Sequence, residues 1–186
     1  MKIMSTRSRI IIMNKNNTIK SIYCHSDGYL EYNGIILFNY YQDAQKVKEL
    51  IDLGDLSSLE KEIHPNPNQI HNFDKRQEGV CCFYGRDRGE KETQAAEFND
   101  IKELKADFYE EYNYLFKEKN NTWYLINTNN LKLLRLSSQL KKALTHTTAK
   151  RKKDFLQILK EKEIIKEKNI LEKELTTQKK ATYKKI

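Results

Sequence analysis

The stretch TIKSIYCHSDGYLEYNG, residues 18–34, decides the fold of this chain, because a strand ends, a turn follows and a helix begins within it. Tyr23, His25 and Asp27 bring a phenol, an imidazole and a carboxylate together where the strand ends. Side chains alternate between the two faces of a strand, so Tyr23 and His25 are predicted to point together while Cys24 points to the opposite face. This strand end is therefore a candidate functional site.

The segments around this stretch predict an α+β fold. Alternating or β-branched runs separated by short polar turns indicate two antiparallel hairpins, and a short apolar run indicates one further strand. The five predicted strands are residues 7–13, 18–25, 79–84, 109–116 and 123–126. The expected architecture is a small antiparallel sheet of two hairpins plus one strand with packed helices, followed by a C-terminal helical extension.

Two helices are predicted between the first hairpin and the single strand. Apolar residues crowd at 30–41, which indicates a buried helix. A second helix begins after Asp43, a suitable N-cap, and ends before Gly54, with apolar residues at helical spacing between them. Residues 55–59 are predicted to form a short connection or another turn of helix. Both prolines lie in residues 60–78, which predicts an exposed and mobile loop.

The C-terminal part differs from the rest in pattern and in charge. Leucines at three- and four-residue spacing from Leu133 predict an amphipathic helix that docks on the sheet, and a long charged helix is predicted from Lys150. Residues 150–186 contain 13 basic and 6 acidic residues, whereas the rest of the chain is nearly neutral. We therefore divide the chain into an α+β domain at 1–130 and a helical, basic extension at 131–186.

Composition and cysteine usage argue against several classes of protein. The first ten residues are too polar for a signal peptide, and no window is apolar enough to span a membrane. Three cysteines do not indicate a disulfide scaffold, and Cys81 and Cys82 are expected to fill the core. The spacings typical of metal ligands do not occur. We therefore expect a cytoplasmic protein without a membrane segment, a metal or a cofactor.

The candidate site combines an imidazole with guanidinium groups. His25 and Asp27, with Tyr23 nearby, are suited to act as an acid–base pair. Four arginines are suited to bind phosphate or carboxylate, namely Arg7, Arg9, Arg86 and Arg88. In the alternative interpretation, Asp27 only forms the turn and His25 hydrogen-bonds to it. The arginines at positions 86 and 88 then pair internally with Asp87 to hold two loops together.

The extension supplies further candidate binding residues, namely Lys150, Arg151, Lys152, Lys153 and Lys160. Many cations along one helix are suited to follow a phosphate backbone, which predicts direct contact with RNA. Glutamates interspersed among these cations are equally typical of a solvated helix. Both interpretations of the extension therefore stay open at this point.

Several short segments resemble a known group of proteins. The segments STRSRI, SIYCHSDGY, LIDLGDLSSL and YGRDRGE, followed by YNYLF and WYLI, are similar to a family of small, largely uncharacterised proteins encoded by phages and prophages. Members of this family share SxYCHWDGY, a GDLSSL-like turn and an RDRGE-like turn. The likeness covers residues 4–127, and the extension is additional to it. Ser26 and Leu30 depart from the family pattern, which has an aromatic residue and a proline at these places.

The resemblance implies a protein made by a mobile genetic element and acting in the cytoplasm of the host cell. The first hypothesis is an antidefence protein, such as an anti-CRISPR inhibitor, that binds a host nuclease or protein–RNA complex without catalysis. It would use the basic helix and the surface between Tyr23 and Arg88. The alternative is a nucleotide-binding sponge or a small phosphodiesterase-like enzyme. In that alternative, His25 and Asp27 form the acid–base pair and the two arginines at 86 and 88 hold phosphate.

Overall fold

A computed structural model describes residues 5–105 and 107–143 and confirms the α+β class. These residues form one eight-stranded sheet and five α-helices. The strands are β1 (Ser8–Met13), β2 (Ile19–Cys24), β3 (Leu56–Ser58), β4 (Cys82–Phe83), β5 (Ala96–Phe98), β6 (Tyr112–Lys117), β7 (Thr122–Asn127) and β8 (Lys132–Arg135). The helices are α1 (Ile35–Tyr40), α2 (Ala44–Asp52), α3 (Tyr84–Arg88), α4 (Ile101–Lys105) and α5 (Leu136–Ala143). The predicted charged helix from Lys150, with its candidate cations, lies outside the described residues.

Both predicted hairpins are present, and a parallel contact joins them. β1 pairs with β2 and β6 pairs with β7, each pair antiparallel. The sheet is larger than expected and is mixed, because β1 also pairs in parallel with β6, with Ile10 opposite Tyr114. The strand order is β4-β3-β2-β1-β6-β7-β8, and β5 lies alongside β2. Alternation in the sequence identifies each hairpin but does not determine how two distant hairpins pair.

Both helices predicted before the loop are present, but the first is only partly buried, since Leu37 alone of α1 is fully buried and Tyr40 is 45% exposed. Residues Leu30–Gly34 form a π-helical turn that continues into α1. α2 begins after Asp43, whose carboxylate accepts a hydrogen bond of 3.0 Å from the backbone N–H of Lys46. Gly54 follows α2 with a φ of +88°, a left-handed conformation that favours glycine. Local signals therefore set both ends of α2.

Several short elements differ from the predictions. Leu56–Ser58 form β3 where a short connection was expected, and the predicted strand at 79–84 shortens to β4 because α3 begins at Tyr84. The amphipathic helix begins at Leu136, since the preceding residues form β8 against β7. Very short strands depend on a neighbouring strand for their hydrogen bonds, so their own sequence carries little signal.

The compact unit extends past the predicted boundary at residue 130. β8 pairs with β7, and α5 packs against β7 and against the π-helical turn. Leu136 and Leu140 of α5 are fully buried. Residues 132–143 are therefore part of the same compact unit as the sheet, which ends at Ala143.

The two faces of the central strands are covered differently. β1 is buried on both faces, and α2 packs against β1 and β2 on the face that contains Ile12. On the second face, apolar side chains cluster near the turn of the first hairpin, namely Ile11, Ile19, Leu104, Leu115 and Ile126. At the other end of that second face the side chains are polar. The candidate site lies on this polar end.

The loop at 60–78 contains no helix or strand, as predicted, but several contacts attach it to α3. The backbone N–H of Phe73 donates to the carbonyl of Asp87 at 3.0 Å. The side chain of His71 is 1% exposed, and its Nε2 lies 3.4 Å from the Asp87 carboxylate. The backbone N–H of Gln77 donates to the Nδ1 of the same imidazole at 3.0 Å. Part of this loop is therefore packed rather than exposed.

Candidate anion-binding surface

Polar side chains form two rows across the second face of the sheet. The inner row consists of Arg9, Tyr23, Asp55 and Asn113. The outer row, one pleat further along the strands, consists of Arg7, His25 and Ser57. Within the inner row, the register sets Arg9 opposite both Tyr23 and Asn113. The backbone N–H of His25 donates to Leu56 at 3.0 Å, which sets Ser57 beside His25 in the outer row.

The guanidinium of Arg9 is saturated by partners within the inner row and behind it. Its Nε and Nη2 donate to the two carboxylate oxygens of Glu110, each at 3.0 Å, and its Nη1 donates to Asp107 at 2.9 Å and to Ser21 at 3.1 Å. The Glu110 side chain is 4% exposed. Burial alone would lower the pKa of Arg9, but the hydrogen bonds and charge of Glu110 and the charge of Asp107 raise it. The structure therefore places Arg9 in an internal network rather than on a binding surface.

Asp55 belongs to the same internal network. Its carboxylate accepts a hydrogen bond of 2.7 Å from the backbone N–H of Tyr23. Burial raises the pKa of Asp55, an effect that the Tyr23 N–H and the charge of Arg9 partly offset. Arg9 and Asp55 of the inner row are thus paired within the fold, whereas the buried Oδ1 of Asn113 has no hydrogen-bond partner among the described residues.

The outer row is less completely paired within the fold than the inner row. The Tyr23 hydroxyl lies 2.8 Å from Nδ1 of His25, which confirms that these two side chains point together. Burial and the neighbouring Tyr84 raise the pKa of Tyr23, which keeps the phenol neutral. Its hydroxyl donates to Nδ1 when the ring proton of His25 lies on Nε2, and accepts from Nδ1 in the other tautomer. Within residues 5–105 and 107–143, this Nε2 has no hydrogen-bond partner.

Arg7 begins the outer row and is exposed. Its backbone N–H donates to the Glu111 carboxylate at 3.0 Å, which fixes the strand but does not involve the guanidinium. No carboxylate of the described residues lies within ion-pair distance of that guanidinium. The close packing of Gly28 holds the strand here, because a Cβ at position 28 would lie 2.6 Å from the backbone of Arg7.

The predicted acid–base pair does not form. Asp27 has a φ of 55° and lies in the turn, where the carbonyl of Asp27 accepts a hydrogen bond of 3.2 Å from Asn33. Its carboxylate makes no hydrogen bond to His25, whose Nδ1 is taken by the hydroxyl of Tyr23. The turn role expected for Asp27 in the alternative interpretation is present, whereas the imidazole bonds to the phenol instead of to the turn.

The two arginines of α3 have different environments. Arg86 donates to the Asp87 carboxylate at 2.6 Å and 2.8 Å, and to the carbonyls of Ile63 and Cys81 at 2.7 Å each. It therefore holds loops together, as the alternative interpretation expected. The Arg88 side chain is 48% exposed and pairs with Glu90 at 3.0 Å. It also lies over the ring of Tyr84, at 5.9 Å from the ring centre.

Two further residues of the site come from the 60–78 loop, and the sequence carried no signal for them. The guanidinium carbons of Arg76 and Arg88 lie 4.6 Å and 4.5 Å from the centre of the same Phe73 ring. We refer to Phe73, Arg76 and Arg88 as the arginine clamp. Arg76 also reaches the hydroxyl of Ser57 at 3.5 Å, which joins the clamp to the outer row.

Tyr84 connects the clamp with the outer row and was also missed. Burial and the Glu90 carboxylate raise the pKa of Tyr84, whereas the charge of Arg88 and the Ser57 hydroxyl lower it. Tyr84 directly precedes the GRDRGE segment, so its position next to that motif was the available signal. The buried Ser57 contacts both Tyr84 and Arg76, and so links the outer row to the clamp. We call the outer row, the clamp and Tyr84 together the anion-binding surface.

The thiols are buried and stay protonated. Cys24, Cys81 and Cys82 are all fully buried, which confirms that the last two fill the core. Burial raises the pKa of Cys24 to about 12 and that of Cys81 to about 11. A group of three or more metal-binding side chains does not occur in the part of the chain that the structure describes.

Two surface cavities lie at the far end of β2 and β5 from the anion-binding surface. One has a volume of about 300 Å³ and is lined by residues 18–20 and 97–99. The other has a volume of about 220 Å³ and lies between Lys20 and α2. Neither shares a lining residue with the anion-binding surface. No α-helix within the described ranges is long and apolar enough to cross a membrane.

No protein-family model matches this chain, and neither a curated protein nor a solved structure matches it. The geometry described above therefore carries the functional argument.

Proposed function

We propose that this chain is a phage- or prophage-encoded antidefence protein, such as an anti-CRISPR inhibitor. It binds a host nuclease or a protein–RNA complex without catalysis. The observation that carries this proposal is the anion-binding surface, which presents exposed cations from the start of β1, from α3 and from the 60–78 loop. The similarity of the SIYCHSDGY and YGRDRGE segments to phage and prophage proteins supports the biological setting.

The arrangement favours binding over catalysis. Catalysis at this site would need His25 and Asp27 to act together, but the hydroxyl of Tyr23 takes the Nδ1 of His25. A nucleotide held by Arg86 would need donors that already bind Asp87 and two backbone carbonyls. The exposed cations of the anion-binding surface are instead suited to docking on a partner.

The extension strengthens the same proposal through its charge. Residues 150–186 account for nearly all of the net charge of +8. A local excess of cations raises the rate at which a protein meets a polyanionic partner, and this effect weakens as salt is added. We therefore include Lys150, Arg151, Lys152, Lys153 and Lys160 among the binding residues.

The proposal is tested by titrating the full chain against a purified CRISPR nuclease assembled with its guide RNA. A binder inhibits cleavage in stoichiometric amounts and independently of incubation time. Arg7→Ala is expected to weaken inhibition, whereas Arg135→Ala removes the same charge from the exposed β8 and serves as the matched control. Replacing Lys150, Lys152, Lys153 and Lys160 by Gln tests the extension within the full chain.

Two results would contradict the proposal. One is loss of nuclease activity at substoichiometric amounts that progresses with time, which indicates catalysis. The other is hydrolysis of cyclic or linear nucleotides by the purified chain that His25→Ala abolishes. Either result would favour the phosphodiesterase-like alternative.

A further inference from the structure

We infer that the anion-binding surface binds the sugar-phosphate backbone of single-stranded RNA. This inference rests on the proposed function and deepens it, because it identifies which component of a protein–RNA complex the sheet contacts. Three properties of the surface support this inference, namely its exposed guanidinium groups, its imidazole and its partly exposed aromatic ring.

The arginine clamp concentrates positive charge. Arg76 and Arg88 lie over one Phe73 ring, which holds the two guanidinium groups within about 9 Å of each other. Among the described carboxylates, Glu90 alone forms an ion pair with either of them. Two like charges held close at a partly exposed site repel each other, and a phosphate bound next to them would offset that repulsion.

The outer row supplies donors next to the clamp. Ser57 is buried and its hydroxyl contacts Tyr84 and, at 3.5 Å, Arg76. The groups of the row that face outward are therefore the guanidinium of Arg7 and the Nε2 of His25, which has no hydrogen-bond partner within the described residues. These groups lie on adjacent strands, so the row from Arg7 to Ser57 extends about 10 Å across the sheet. An extended strand of RNA can place more than one phosphate along such a row.

The aromatic ring of Tyr84 favours a single strand over a duplex. Tyr84 is partly exposed at the junction of the clamp and the outer row, and Arg88 lies over its ring. Exposed aromatic rings stack with unpaired bases, whereas a duplex keeps its base faces inside the helix. A strand that follows the outer row can therefore place a base against Tyr84.

The test measures binding of the full chain to fluorescein-labelled oligouridylate by fluorescence anisotropy at several salt concentrations. Arg76→Ala and Arg88→Ala are each expected to weaken binding about tenfold at low salt. Each is also expected to reduce the slope of log affinity against log salt by about 0.7. Arg7→Ala should have the same effects, and it carries little risk to folding because its guanidinium makes no ion pair with the described residues.

Arg135→Ala is the matched control, because it removes an equal charge from an exposed position outside the surface. If the variants at positions 7, 76 and 88 bind RNA as Arg135→Ala does, the inference is overturned, including the case in which the extension alone binds. Equal affinity for a duplex of the same length would overturn the single-strand assignment.

The inference and the proposed function fail separately. If the wild-type chain inhibits the nuclease but does not bind free oligouridylate, the inference is overturned and the proposed function stands. If binding to oligouridylate depends on the surface residues but no nuclease is inhibited, the inference is supported and the proposed function is contradicted.

Discussion

The inner and outer rows lie on the same strands, but they differ in whether their arginine is paired with carboxylates of the fold. Arg9 is buried in contact with two carboxylates, whereas Arg7, two residues earlier and on the same face, is exposed and has no ion pair with the described residues. The same contrast recurs in α3, where Arg86 binds Asp87 and two carbonyls while Arg88 is half exposed. The role of each arginine is therefore set by what faces it across the fold.

This comparison also separates stability from binding. A buried ion pair contributes little net stability compared with apolar side chains of similar size, but removing one partner leaves the other charged group buried and alone. An exposed cation on the outer row contributes almost nothing to stability and is available to a ligand. Substitutions in the inner row should therefore change the free energy of unfolding, whereas substitutions in the outer row should change ligand binding.

The largest expected effect comes from Arg9→Ala, which leaves the carboxylate of Glu110 buried without its partner. We expect a loss of about 3–5 kcal/mol in the free energy of unfolding, measured by urea denaturation. Arg7→Ala is the control and should change the same free energy by less than about 0.5 kcal/mol. Replacing Arg9 and Glu110 together by methionine should recover much of the loss. Equal effects of the two single substitutions would remove the distinction between the rows.

A smaller effect is expected for Asp87→Asn, with Glu90→Gln as its exposed counterpart. The Asp87 carboxylate accepts hydrogen bonds from Arg86 and from the backbone N–H of Phe83 at 2.7 Å, so the substitution should cost about 2 kcal/mol. Glu90→Gln affects only the half-exposed pair with Arg88 and should be nearly neutral.

The pH dependence of the same variant gives a second measurement. Burial alone would raise the pKa of Asp87, but the Arg86 and Phe83 hydrogen bonds and the charges of Arg86 and His71 lower it. A carboxyl with a lowered pKa in the folded state stabilises the fold above its unfolded pKa of about 4, and this contribution is lost as the pH falls through the folded pKa. Asp87→Asn should therefore reduce the loss of folding stability at acid pH. An unchanged loss at acid pH would show that Asp87 does not stabilise the fold in this way.

The smallest expected effect comes from Tyr23→Phe, which removes the hydroxyl at 2.8 Å from His25 and leaves the ring in place. The contact is partly exposed, so we expect a loss of about 0.5–1 kcal/mol in the free energy of unfolding. Long-range proton–nitrogen NMR spectra should show His25 protonated at Nε2 in the wild type and a mixture of tautomers in the variant. The same tautomer mixture in both proteins would show that Tyr23 does not orient the imidazole.

Much of the local structure could be predicted from the amino-acid sequence. The period of the apolar residues identified both hairpins, and the N-cap at Asp43 and the left-handed Gly54 identified the ends of α2. Alternation along β2 also predicted that Tyr23 and His25 share a face. These signals act over a few residues, so they are present in any short window of the sequence.

The candidate site could be predicted only in part. Arg7, His25 and Arg88 were expected on one surface, and Tyr84 links Arg88 to Ser57, which lies beside His25 in the outer row. Arg76 was not anticipated, because the loop at 60–78 has no periodicity that would orient its side chains. Arg9 and Arg86 were expected to bind a ligand, but their partners within the fold are nearer.

The sequence by itself determined the α+β class, the two hairpins, the second helix and the concentration of charge in the C-terminal extension. Only the tertiary structure decided that β1 lies parallel to β6, and with it which arginines are neutralised. The partners of Arg9 show the physical reason, since Glu110 lies 101 residues away along the chain and reaches the guanidinium only through that pairing. Propensity and capping are short-range effects, whereas the environment of a charge depends on every segment that folds around it.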